Sequence, residues 1–183
     1  QPQDLAEGLA ITQKVAEALL AETGSPYKGV MYGGFIATKK GAKLLEYNAR
    51  FGDPEAMNIL PLLKTDFVEI CRHIINGTLD KLKIEFEHKA TVCKYVVPRG
   101  YGLPASHPDA ASSRARIAIG DVGKARLYYS SVDQRADGLY LSSSRAIGIV
   151  GIADTLQEAE KIAQDGVKAV QGPVACRTDI GTQ

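Results

Sequence analysis

This chain of 183 residues avoids the compositional extremes that would assign it to a specialised class. No apolar run approaches the ~20 residues that a bilayer-spanning helix needs, and nothing at the start follows the pattern of a secretory signal. Neither charge sign is in excess, since 22 basic against 21 acidic residues leave a net charge of +1. Neutralising a polyanion wholesale takes a basic surplus, so the balance argues against a nucleic-acid binder and leaves room for a local phosphate site. Cysteine is scarce: Cys71, Cys93 and Cys176 are odd in number and far apart. They form no disulfide framework and point to a reducing, cytoplasmic compartment. With no C-x-x-C pair, they read as plain buried thiols, and a zinc site from Cys71, His73 and Cys93 is the minor alternative. There is no internal repeat, no low-complexity tract, no Walker loop, no dinucleotide fingerprint and no Ser/His/Asp arrangement at recognisable spacing.

What is present is ordinary for a globular chain: 45% hydrophobic and 23% charged residues, enough for one large domain or two small ones. Residues 4–23 read as a helix, with Asp4 and Glu7 as a capping box and Leu5, Leu9, Ala16, Leu19 and Leu20 on one apolar face, Val15 at its rim. Residues 28–48 read as a β-hairpin turning at Lys39-Lys40-Gly41. Gly33 and Gly34 inside its first strand mark a bulge or a close approach, the latter either of a packed helix or of a ligand. Asp53 and Pro54 are suited to cap and open a second helix. A third runs from the cap Asp66, with Glu69 three residues on, to a stop at Gly77. After about residue 90 the text changes to short strands: ATVCKYVV, ARIAIGDV, ARLYYSSV, GLYLSSS and AIGIVGIA. QRADG is a hairpin turn, residues 99–113 a loop, and a closing helix extends from the cap Thr155 to about Gln171. Alternation in KATVCKY places Lys94 in a strand, where it reads as solvated. The fold class is therefore α+β, in two parts: 1–90, a helix, a hairpin and two helices, and 91–183, mainly antiparallel β with one helix. The first part is a poor free-standing core and is expected to complete a larger sheet.

The densest polar stretch is EYNARFGDPE, residues 46–55. Side chains alternate along a strand, so Glu46 and Asn48 share a face and Tyr47 takes the other. Two oxygen donors so placed suit a hard cation such as magnesium, which keeps phosphates and water as its other ligands. Arg50 offers a permanent planar charge to a phosphate or carboxylate. Gly52 lets backbone come close, and the helix start after Asp53 offers free N–H groups. These are the parts of a nucleotide phosphate site. The same residues also serve as ordinary turn-and-cap chemistry, and spacing alone does not decide between the two.

YKGVMYGGF, LLEYNARFGDPE and CRTDIG together resemble the C-terminal portion of the phosphoribosylamine–glycine ligase family, within the ATP-grasp superfamily. The likeness covers essentially the whole chain, and R-F-G-D-P-E from Arg50 to Glu55 is its specific signature. It implies the C-terminal part of an ATP-grasp domain followed by the β-rich domain. It implies ATP-dependent joining of glycine to phosphoribosylamine through a glycyl phosphate. ATP and Mg2+ or Mn2+ are the implied cofactors, with Glu46 and Asn48 as metal ligands, Arg50 and Gly52 at the nucleotide, and Arg50 and Asp53 as catalytic residues. Family members are longer, so the chain is expected to be a fragment whose partner is the N-terminal half of the same enzyme and which is inactive alone. Met57 and Gly102 depart from the family's usual residues. Arg177 and Asp179 read first as a structural pair. Another ATP-grasp carboxylate–amine ligase, or a non-catalytic assembly module, are the alternatives.

Overall fold

The structure, a computed structural model, describes residues 2–104, 106–108 and 114–182. The chain divides into two compact units, Gln1–Asp53 with Leu63–Phe86, and Pro54–Leu62 with Glu87–Gln183. In chain order the first elements are α1 (Pro2–Thr23), β1 (Tyr32–Thr38), β2 (Gly41–Asn48), α2 (Glu55–Ile59) and α3 (Phe67–Asn76). Of these, α2 belongs to the second unit.

In the first unit β1 and β2 form the expected hairpin, and Gly41 takes a φ of 87° at its turn. The register slips once: Gly34 pairs with Glu46 but Phe35 pairs with Leu44, so Leu45 is an extra residue in β2. On one face Phe35 and Tyr47 meet edge to face at 6.1 Å. Their rings explain Gly33, where a Cβ would lie 2.5 Å from Phe35 and 2.8 Å from Tyr47. The close approach at Gly33 is therefore to side chains of the hairpin itself. Helix α1 covers this face. Its Thr12 hydroxyl lies 2.7 Å from the Tyr47 hydroxyl, and the Phe35 ring lies against Gly8.

Two expectations for α1 are corrected. Glu7 does not close a capping box; the helix begins ahead of Asp4, and the Glu7 carboxylate accepts the Ala42 N–H at 2.7 Å. That bond holds the Glu7 carboxyl below its ordinary range. The helix is also turned from the expected face. Asp4, Glu7, Gly8, Ile11, Thr12, Val15 and Leu19 are its half-buried positions, whereas Leu5 and Leu9 are 77% and 69% exposed and Leu20 and Ala16 are exposed with them. The helix is apolar on two sides, and polar bonds from Glu7 and Thr12 select which side meets the hairpin.

Helix α3 forms as its caps dictate. The Asp66 carboxylate accepts the Val68 and Glu69 N–H groups at 2.7 and 3.1 Å, and Gly77 ends the helix in the left-handed conformation. At α2 the expectation fails. The cap position is Pro54, not Asp53, and only five residues are helical before a 3-10 turn at Leu60–Leu62.

The second unit continues with β3 (Ala90–Pro98), β4 (Arg116–Ile119), β5 (Arg126–Tyr129), β6 (Val132–Arg135), β7 (Gly138–Leu141), β8 (Ile147–Ala153), α4 (Leu156–Val167), β9 (Val170–Gln171) and β10 (Val174–Ala175). All pairings are antiparallel and build two sheets, ordered β10-β3-β8-β5 and β6-β7-β4-β9. Val96, Ile147 and Ile149 of the first sheet and Ile117, Leu141 and Val170 of the second share one buried core. The loop read at 99–113 lies partly outside the described residues. The closing helix is shorter than expected and stops at Val167, because residues 170–171 pair with β4 as a strand. Its cap is as expected, the Thr155 hydroxyl accepting the Glu158 N–H at 3.2 Å.

Helix α4 lies very close to β8. Its Ala159 and Ala163 are fully buried, and a Cβ on Gly151 would fall 1.9 Å from the Ala159 carbonyl oxygen. On the opposite face of the same strand, Met57 of α2 lies over Gly148, where a Cβ would meet its sulfur at 2.6 Å. Met57 is thus a packing residue. Lys94 overturns its reading as a solvated side chain: it is 1% exposed, and its ammonium donates to Glu160 at 2.6 Å, Gln164 at 2.8 Å and the Thr178 carbonyl at 3.0 Å. Alternation placed it correctly in a strand, but its face is the one α4 covers.

Candidate functional site

Strand β2 delivers the acidic end of the motif as alternation requires. Glu46 and Asn48 stand on the face away from α1, opposite Gly34 and Tyr32, while Tyr47 points to α1 with Gly33. Glu46 is exposed and Asn48 half-buried, and the Asn48 amide donates to a Glu46 carboxylate oxygen at 3.2 Å. Among the described residues no further hydrogen bond to either side chain is present. Gly34 leaves the surface opposite Glu46 open, since a Cβ there would meet nothing nearer than the Glu46 stem at 3.7 Å and its carbonyl at 3.9 Å. Pairing outward from the turn would set Gly33 against Glu46; the extra residue at Leu45 brings Gly34 and Tyr32 to this face instead.

Beyond β2 the chain turns without regular structure. Arg50 is exposed and one guanidinium nitrogen donates to the Phe51 carbonyl at 2.7 Å, which leaves the rest of the fork available. The Phe51 ring packs against Phe67 of α3 at 6.0 Å, and Gly52 beside it is buried, so the segment that carries Arg50 is anchored. Asp53 is exposed and closes the first unit, whereas Glu55 opens α2 in the second. Glu46, Asn48, Arg50, Gly52 and Asp53 thus follow one another on a single strand end and turn.

The donor set is carboxylate and amide oxygen, with neither sulfur nor imidazole. Among the described residues no group of three or more His, Cys, Asp or Glu gathers as a metal cage. Carboxylate and amide oxygen suit a hard cation that shares its shell with phosphate and water, and do not suit zinc. His73 is engaged elsewhere, its ring nitrogen 2.9 Å from both the Thr78 carbonyl and hydroxyl oxygens. Arg177 and Asp179 form the expected pair, bonded to one another through two guanidinium nitrogens.

Comparison with known proteins bears on the family. The ATP-grasp (A) domain of phosphoribosylglycinamide synthetase matches residues 3–56, and the C domain of the same synthetase matches residues 91–183. A phosphoribosylamine–glycine ligase from Methanocella arvoryzae is 51% identical over 180 residues, covering 98% of this chain and 40% of the relative. One from Methanosarcina acetivorans is 48% identical over 179 residues, covering 98% of this chain and 39% of the relative. The crystal structure of a phosphoribosylamine–glycine ligase from Thermotoga maritima shares the fold, with a TM-score of 0.67 at 24% identity over 87% of this chain and 39% of that one. The chain spans about 40% of the length of the curated relatives it matches. No helix among the described residues is long and apolar enough to cross a membrane. From its strand-end motif to its β-rich second unit, the chain belongs to the phosphoribosylglycinamide synthetase family.

Proposed function

We propose that this chain supplies the metal-holding edge of a phosphoribosylamine–glycine ligase, which joins glycine to 5-phosphoribosylamine with ATP to give glycinamide ribonucleotide, ADP and phosphate. The observation that carries the reading is the pairing of Glu46 with Asn48 on one strand face, followed at once by an anchored Arg50. The names and identities of the relatives support it. Glu46 and Asn48 would hold Mg2+ or Mn2+, which when bound neutralises phosphate charge. Arg50 presents its free N–H groups to the transferred phosphoryl or to the acyl phosphate. Gly52 lets the backbone approach the nucleotide. Asp53, exposed at the end of the turn, orients or accepts a proton from a reactant at this edge. Glycine's carboxylate takes the γ-phosphoryl group, and the amine of phosphoribosylamine then displaces phosphate, so that positioning and charge stabilisation do most of the work.

In this reading the remaining part of a full-length enzyme brings the rest of the ATP site, and its surface covers the exposed apolar side of α1. The whole acts in the cytoplasm on small molecules, without nucleic acid or membrane. The test is a chimera: residues 1–183 replace the matched segment of the Methanocella arvoryzae ligase, and ADP formation is followed with glycine and phosphoribosylamine. The chimera is expected to turn over, and Glu46→Ala within it to lose about 100-fold or more in kcat, on the scale of removing a preorganised charge-stabilising group. Full activity in Glu46→Ala would remove Glu46 from the metal site and favour a purely structural role for the segment.

A further inference from the structure

Residues 176–182 carry the R-T-D-I-G run, yet little regular structure holds them. The last strand, β10, has two residues, pairing Val174 and Ala175 with Pro98 and Val97 of β3. Beyond it the segment bonds mostly to itself. Arg177 pairs with Asp179, and Thr182 donates from its hydroxyl to the Asp179 carbonyl at 2.7 Å. Among the described residues, the hydrogen bond that ties this segment to the rest of the unit comes from Lys94, whose ammonium holds the Thr178 carbonyl at 3.0 Å. The other two protons of that ammonium go to Glu160 and Gln164, which lie four residues apart on one face of α4. All three donors of a fully buried lysine are thereby satisfied. An unpaired ammonium in this position would be costly, and these three partners offset that cost.

A second feature fits the same segment to the same place. Gly181 has a φ of 80° and sits against Val92, two residues before Lys94 on the same face of β3; a Cβ would lie 2.9 Å from the valine methyl and 3.4 Å from the Glu160 stem. Meanwhile Arg177 and Asp179, on either side of the held carbonyl, are more than half exposed. The grip is on the backbone between them, and their side chains stay outside.

We propose that Lys94 is a buried latch which positions residues 176–182 on α4 and β3 and so presents the Arg177–Asp179 pair at the surface. This assignment does not depend on the ligase reading: it concerns one side chain and one segment of the second unit, and it holds or fails without any substrate. Hydrogen exchange followed by mass spectrometry on the whole 183-residue chain tests it. Lys94→Met keeps the length of the side chain and removes the donors. Amides of residues 178–182 are expected to exchange about tenfold faster or more, while those of β8 keep their protection, because local opening and global unfolding are separable. Unchanged exchange in the segment overturns the proposal. So does an equal loss in the segment and in β8, which would make Lys94 a staple of the core instead. If Lys94→Met does not fold, Glu160→Ala retains the lysine and two of its three acceptors. It is then expected to quicken exchange of residues 178–182 by about threefold with β8 unchanged, and no quickening overturns the latch.

Discussion

Two glycines on one strand set up a sharp comparison. Gly148 and Gly151 lie on opposite faces of β8, and each has a neighbour where a Cβ would go. At Gly151 that neighbour is the backbone of α4: the Ala159 carbonyl oxygen at 1.9 Å and the Ala163 nitrogen at 2.8 Å. Ordinary contact begins near 3.4 Å, so an alanine at 151 pushes the helix away by about 1.5 Å. Backbone has no rotamer to escape into. The cost belongs at the upper end of overpacking, about 3 kcal/mol, or roughly 6–12 °C in Tm for a chain of this size. At Gly148 the neighbours are the sulfur and methyl of Met57, at 2.6 and 2.8 Å. A thioether with three rotatable bonds moves aside, and Gly148→Ala should cost under about 1 kcal/mol. The entropic benefit of replacing glycine is common to both and cancels in the difference. Thermal melts of the two variants, followed by circular dichroism, give the answer. If Gly151→Ala melts within about 2 °C of Gly148→Ala, helix α4 does not lie on bare backbone and the account of this core is wrong.

Asp66→Ala removes the oxygen that accepts two N–H groups at the start of α3 and should destabilise the first unit by about 1 kcal/mol; an unchanged urea midpoint would show that the cap contributes nothing. Asp165 accepts from Lys161 and Lys168, which hold its carboxyl down at about 2 against an ordinary 3.8. Its folded-state value is depressed, so its contribution is complete above the ordinary value and disappears as pH falls toward about 2. The same pair raises Lys161 above its ordinary 10.5, so that contribution fades again only on the alkaline side. The gap in urea midpoint between wild type and Asp165→Asn should therefore be small, level across neutral pH, and closing at the acid end; a gap that widens there contradicts the pairing.

The sequence was most legible where the determinant is local. The period of two in a strand was enough to put Glu46 and Asn48 on one face, and the register agrees. Caps at Asp66, Gly77 and Thr155 were legible because each bonds within a few residues of itself. Long-range partners were not. Lys94 looks like any strand lysine until Glu160 and Gln164 arrive from α4. The buried side of α1 was misread because its leucines form a second apolar stripe, and the packed side was chosen by Glu7 and Thr12, whose partners lie in the hairpin. At residues 168–171 helix-compatible text yields to a strand, because β4 offers an edge that local propensity does not record. Asp53 has the chemistry of a cap but stands one residue too early for a helix that opens at Glu55.

The extra residue at Leu45 has a further meaning. Ala42 and Leu44 look toward α1, and strict alternation would carry Glu46 to the same side, beneath the helix. One inserted residue reverses the parity, so the carboxylate emerges on the open side beside Asn48 and the tyrosine goes in to meet Thr12. Excising Leu45 would leave every letter from Glu46 to Glu55 in place and turn the acidic end of the strand inside out. The spacing within E-Y-N is thus only half of the inscription; the other half is a count, kept upstream, of how many residues precede it.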